Sequence, residues 1–144
     1  MYRADIHILS VSNVVKNILK ERFNRTTRIV PTFIDTNFYH PNNEESNSLP
    51  IVLLVGNPTV AFKNHVDSIR VLRRVKQRFD TFRIRWICQV LPDYDVSDLN
   101  IEFQVMETQK KVAQLYREAD ILLSTSIIEF FSLPPLEAMA SVWL

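Results

Sequence analysis

The sequence predicts an α/β domain built on a partial doubly wound parallel sheet, and three observations lead there. Four short apolar runs, Ile51–Gly56, Phe82–Val90, Ile101–Met106 and Ile121–Ser126, have the length and composition of strands covered on both faces. The segments that follow Asn64 and Thr108 carry apolar residues at helical spacing. The resulting order of strand, helix, strand, strand, helix, strand, helix is that of a doubly wound parallel sheet. At 144 residues, 47% hydrophobic and 23% charged, the chain is sized for one such core.

Taken in order, Ile6 to Ser10 reads as the end of a strand. Ser12 is a suitable N-cap for a helix with Val14, Val15, Ile18, Leu19 and Phe23 inward. Arg28 to Asp35 is a short extended piece, and Asn42 to Ser48 is polar and without period, so it reads as a linker or exposed loop. After Ile51–Gly56, Asn64 with Asp67 three positions on is expected to cap a helix that turns Val66, Ile69, Leu72, Val75 and Phe79 inward. Arg70, Arg73, Arg74 and Arg78 then form its solvated side. Thr108 is expected to cap a helix with Val112, Leu115, Tyr116 and Ala119 inward. The last helix is expected to begin at Pro134-Pro135, because proline is tolerated in a first turn where no backbone donor is needed.

The formal net charge is +1 with scattered basic residues, which gives no footprint for a nucleic acid. Cys88 is the single cysteine and lies in an apolar run, so a disulfide framework is excluded, a reducing compartment is expected and the thiol is read as core. Met1 to Ser12 has no secretory pattern, and no run approaches the roughly 18 apolar residues of a membrane span. Gly56 is the single glycine, where average usage of about 7% would give roughly ten. Turns needing positive φ must therefore be made with other residues.

In a doubly wound sheet a ligand lies at the carboxyl ends of the strands, which directs attention to the loops after Val55, Val90, Met106 and Ser126. The last carries Glu129-Phe130-Phe131-Ser132-Leu133-Pro134-Pro135-Leu136-Glu137, two carboxylates either side of a loop running into a helix start. Such a start offers free N–H groups, here mainly from Phe131, Ser132 and Leu133, to a phosphate or a hydroxyl. A Glu near a helix N-terminus can equally do no more than complement the dipole, for about 0.3–1 kcal/mol. The first loop carries Gly56, Asn57 and Lys63. Asp93-Tyr94-Asp95 has the composition of an ordinary turn. His7, His40 and His65 have no Cys or carboxylate at metal spacing, and no metal site is expected.

The segment from Glu129 to Ala140 resembles the E-x-F-G-L-P-P-L-E-A-M-A signature of the retaining glycosyltransferases of family 4, which have the GT-B fold. The resemblance implies a nucleotide-sugar-binding, Rossmann-like domain over residues 50–144. It implies that residues 1–41 are the tail of an N-terminal domain with the interdomain crossing, and that 42–49 form the linker. The family continues beyond this pattern, so the chain is expected to be truncated. By the same resemblance Lys63 meets the donor diphosphate, Glu129 the sugar hydroxyls and Glu137 the ribose, with Lys63 and Glu129 as the catalytic pair. Gly56, Asn57, Met106, Phe131, Ser132 and Leu133 complete the donor site, Met106 through the loop it shares with Glu107 and Thr108. Two departures stand out. Asn57 occurs where many members have a nearby arginine, and Ser132 replaces a glycine, a strained choice if that backbone needs positive φ.

The implied activity is transfer of a hexose from a UDP- or GDP-linked sugar to a glycan or lipid acceptor in polysaccharide biosynthesis, with no cofactor. The acceptor would be held by an N-terminal domain that the chain lacks. The implied location is the cytoplasm, free or attached at the inner face of the membrane. A degenerate nucleotide-sugar-binding module and a generic α/β interaction domain are the competing readings. On these roles Glu137→Ala weakens nucleotide binding, whereas Glu129→Ala spares free nucleoside diphosphate.

Overall fold

The computed structural model describes residues 6–41, 49–129 and 131–141. The expected linker Asn42–Ser48 lies outside the described residues, as do Phe130 and 142–144. The chain forms two units, Met1–Phe33 with Phe130–Ser132, and Ile34–Glu129 with Leu133–Leu144.

In the smaller unit β1 (Leu9–Ser10) pairs in parallel with β2 (Arg28–Ile29), joined by α1 (Asn13–Phe23). Ser12 caps α1 as expected, its side chain accepting from the Val15 N–H. The inward face is narrower than expected. Leu19 is buried, whereas Val14, Ile18 and Phe23 are exposed.

The larger unit holds a four-stranded, wholly parallel sheet: β3 (Ile51–Val55), β4 (Arg83–Cys88), β5 (Ile101–Val105) and β6 (Ile121–Leu122), in the order β5-β4-β3-β6. The fold class expected from sequence is the one observed. Helix α2 (His65–Lys76) connects β3 to β4, α3 (Gln109–Arg117) connects β5 to β6, and α4 (Leu133–Ser141) follows. Val52, Leu54, Ile84, Trp86 and Cys88 pack on Ile69 and Leu72 of α2, while Leu53 and Ile87 pack on Ala113, Leu115 and Tyr116 of α3. Residues 34–41, grouped by sequence with the N-terminal part, bring Ile34, Phe38 and Tyr39 to this second core. Cys88 is buried in the first, and burial pushes its thiol pKa up, so it stays a protonated core residue.

Three expectations about elements are corrected. Helix α2 is rolled relative to its apolar spacing. His65, Ser68, Ile69 and Leu72 are buried, and Val66, Val75 and Phe79 are exposed, because i, i+3, i+4, i+7 beginning at His65 is the set that meets the sheet. Arg73 is not merely solvated, since its guanidinium makes a two-pronged bond to Asp98 at 2.9 Å each and so ties α2 to the turn before β5. Strand β6 has two residues instead of six. After Leu123 N–H reaches the Leu53 carbonyl at 2.9 Å, the chain leaves the sheet to bond the start of α2.

The scarcity of glycine is met mostly by asparagine. Asn24, Asn64 and Asn100 adopt φ of 51–52°, the left-handed conformation that asparagine tolerates better than most residues, and Met106 adopts φ 55°. Ser132 is not in that region, so the strain considered for it does not arise. Among the described residues no helix is long and apolar enough to cross a membrane.

Candidate functional site

The strand order sets the position of the site. From β3 the chain proceeds outward through β4 to β5, then α3 carries it back to the opposite side of β3, where β6 pairs. The order therefore reverses between β3 and β6. The carboxyl ends of the strands beside such a reversal are where open α/β sheets place ligands.

The loop after β3 begins at Gly56, whose φ is +135°. A Cβ there would stand 2.9 Å from His65 Nε2, so this glycine is required by both conformation and space. Trp86, fully buried on β4, donates its indole N–H to the Gly56 carbonyl at 3.0 Å. The His65 ring lies 4.7 Å from that indole and has no hydrogen-bond partner on either nitrogen. Burial first, then the Lys63 charge, lower its pKa to about 4, so the imidazole is neutral at physiological pH. Asn57 turns its side chain onto its own loop, the carbonyl oxygen accepting from the Thr59 N–H at 2.9 Å and the Thr59 hydroxyl at 2.8 Å.

A single 3-10 turn, Ala61–Lys63, then delivers Lys63. Asn64 sits at the N-cap position of α2 but does not cap it as expected. In the left-handed conformation its side chain donates to Asp67 Oδ2 at 2.9 Å and accepts no helix N–H.

The segment after β6 is stitched to this turn. The Thr125 hydroxyl lies 2.8 Å from the Asn64 carbonyl and 2.6 Å from Ser68 Oγ, and the Ile127 N–H donates to the Phe62 carbonyl at 2.8 Å. These links bring Glu129 to Lys63, with Nζ and Oε1 2.6 Å apart and side chains 20% and 25% exposed.

The other expected residues are placed as follows. Glu137, in the second turn of α4, directs its carboxylate at Tyr39 and Tyr116. Burial first, then the Glu137 charge, push both phenol pKa values up. The Tyr116 hydroxyl makes no hydrogen bond of ordinary geometry, so Glu137 acts on it through charge. Glu137 is not part of the Lys63–Glu129 contact. Met106, at the end of β5, is 74% exposed and bonded through its N–H to the Cys88 carbonyl. Leu133 opens α4, one residue ahead of the expected proline start. Phe131 and Ser132 belong to the smaller unit. Among the described residues no group of three metal-ligating side chains is present.

Sequence reasoning missed His65, Trp86 and the Ser68–Thr125 link. A tryptophan in mid-strand was a usable signal, because its buried N–H must find an acceptor. A lone histidine, serine or threonine carried none.

No family model matches the chain, and no curated protein matches it. Among solved structures it is similar to the C-terminal domain of a glycosyl transferase group 1 family protein (LpcC) from Francisella tularensis. The identity is 21%, the TM-score 0.60, and the match covers 76% of this chain and 67% of that one. It is also similar to TarM, at 14% identity and TM-score 0.72, covering 94% of this chain but only 28% of the TarM chain. The likeness is one of fold: the parallel sheet and its helices match the Rossmann-like C-terminal domain of GT-B proteins.

Proposed function

We propose that this chain carries the donor-binding half of a retaining glycosyltransferase of family 4, which moves a hexose from a UDP- or GDP-linked sugar to a glycan or lipid acceptor. The observation that carries the reading is the Lys63–Glu129 pair beside the β3/β6 reversal of strand order, a cation and a hydroxyl acceptor side by side at the ligand position of such a sheet. The two structural neighbours support it through fold, and the Glu129–Glu137 signature supports it through sequence.

On this reading the Lys63 ammonium faces the diphosphate and stabilises the charge that develops as the nucleoside diphosphate leaves. Glu129 accepts from sugar hydroxyls and fixes the sugar's orientation, and Glu137 accepts from the ribose. Gly56 lets the backbone approach the phosphates, with Asn57, Met106 and Leu133 around them. The acceptor is held by another domain of the whole enzyme, which adds the positioning that transfer requires.

Titration calorimetry with UDP and GDP tests the reading. Lys63→Gln should weaken whichever nucleotide binds by about tenfold to a hundredfold, since a hydrogen bond to a charged group contributes about 1.5–3 kcal/mol. Absence of binding by the wild-type chain, or equal binding by the variant, would sink the donor site and leave the interaction-domain reading. Binding with no transfer by the whole enzyme would leave the degenerate-module reading.

A further inference from the structure

We infer that Glu129 makes the site favour a nucleotide sugar over a free nucleoside diphosphate, because its carboxylate must give up Lys63 before a diphosphate can take it. The inference rests on the donor site proposed above. Lys63 Nζ and Glu129 Oε1 are 2.6 Å apart, with both side chains partly exposed. An ammonium has three donors and could touch both anions. The carboxylate would then lie against the diphosphate, however, so the two compete for the same cation.

The backbone beneath the pair offers no easy release. The Thr125 hydroxyl is bonded to the Asn64 carbonyl and to Ser68, and Ile127 N–H is bonded to the Phe62 carbonyl, so the loops on both sides of the pair are held together. Access to Lys63 therefore comes from rotation of the Glu129 side chain, not from separation of the loops. A free nucleoside diphosphate gives the displaced carboxylate nothing in return. A nucleotide sugar offers it hydroxyl donors, and an ionised carboxylate can accept two at once. The exchange is balanced for the donor substrate and unbalanced for the product, so the ion pair both selects the substrate and speeds release of the product.

The test is calorimetry on the 144-residue chain with UDP, GDP, UDP-glucose and GDP-mannose as probes. Glu129→Gln should bind the free diphosphate about fivefold more tightly than wild type, the scale of a partly exposed ion pair. Its preference for the sugar-bearing probe should fall. This reverses the expectation, drawn from sequence, that loss of Glu129 leaves free diphosphate binding untouched. Glu129→Asp, which keeps the charge and shortens the reach, should lie between the two, and thermal melts establish that each variant is folded. Free-diphosphate binding unchanged or weakened in both variants, alongside the loss in Lys63→Gln, would overturn this inference and leave the donor site standing. If wild type binds none of the four probes, the donor site and this inference fall together.

Discussion

Replacing Arg85 with alanine should destabilise the larger unit by about 3 kcal/mol at neutral pH. The Arg85 side chain is 8% exposed, on the α3 side of β4, and it bonds Glu118 at 2.6 Å and Glu102 at 3.3 Å. A buried ion pair contributes little net stability when compared with a well-packed apolar substitute. Removing Arg85 is different, since it takes a charged partner from Glu118, which keeps Gln114, and from Glu102, which keeps Arg83; breaking a buried pair costs about 3–5 kcal/mol, and these remaining bonds favour the lower end. So does the exposure of Glu118, at 23%. The double change Arg85→Met with Glu118→Gln should therefore recover most of the loss. Burial tends to raise the Glu102 pKa, but the bonds and charges of Arg83 and Arg85 outweigh it and hold it below its ordinary 4.5. A carboxylate with a lowered folded pKa contributes stability above its ordinary value and loses it as pH falls through the lowered one. The deficit of Arg85→Ala should accordingly shrink below about pH 4.5. Urea denaturation at pH 7 and pH 3.5 reads both effects, and a pH-independent deficit would mean that lost packing, not charge, is responsible.

Gly56→Ala should cost about 2–3 kcal/mol and abolish measurable nucleotide binding. Two causes add. An L-residue held at φ +135° is strained by about 1–3 kcal/mol. The new methyl also meets His65 Nε2 at 2.9 Å, on a ring that is buried and backed by Trp86. The neighbour cannot retreat, so the loop must, and that loop leads to Lys63. His65→Ala in the Gly56→Ala background removes the contact but not the φ strain, so the double variant should be less destabilised than additivity predicts. Melting curves of the three variants with UDP and GDP titrations separate the terms. A Gly56→Ala protein as stable as wild type would show that the loop has another conformation within easy reach.

What sequence could show follows from which physics is local. The four strands were legible because burial on both faces demands continuous apolar runs, and Ser12 and Thr108 were legible as caps because capping is settled within three residues. The roll of α2 was not. Val66, Val75 and Phe79 have helical spacing, but His65 and Ser68 occupy the side that meets the sheet for reasons lying 21 and 57 residues away, in Trp86 and Thr125. Lys63 and Glu129 were named from a resemblance. Their direct contact spans 66 residues and depends on the Thr125 and Ile127 links, which no motif encodes. The strain that would follow at 132 if its backbone needed positive φ was a question sequence could not settle, and among the described residues positive φ falls at Gly56, three asparagines and Met106 instead.

The central position of β3 has a consequence for the order in which the sheet assembles. Its partner β4 follows after one helix, but its other partner β6 is much farther off. Asp120, whose carboxylate accepts from the Ile51 N–H at 2.8 Å, is 69 residues from Ile51, roughly twice the separation of Ile51 from Arg83. Each doubling of a closed loop adds only about 0.6 kcal/mol of entropy cost, yet β6 repays it with two paired residues where β4 offers five. The β3–β4–β5 ladder is thus the natural nucleus, and the β6 arm is the last to zip and the first to open. Native-state amide exchange should then be faster at Leu123 than at Gly56, although both N–H groups bond sheet carbonyls at 2.9 Å. The arm that opens first is the one that carries Glu129, so in any opening below global unfolding the Thr125 and Ile127 links and the Lys63–Glu129 contact are lost together, while in the closed protein those links hold and the Glu129 side chain alone covers the cation.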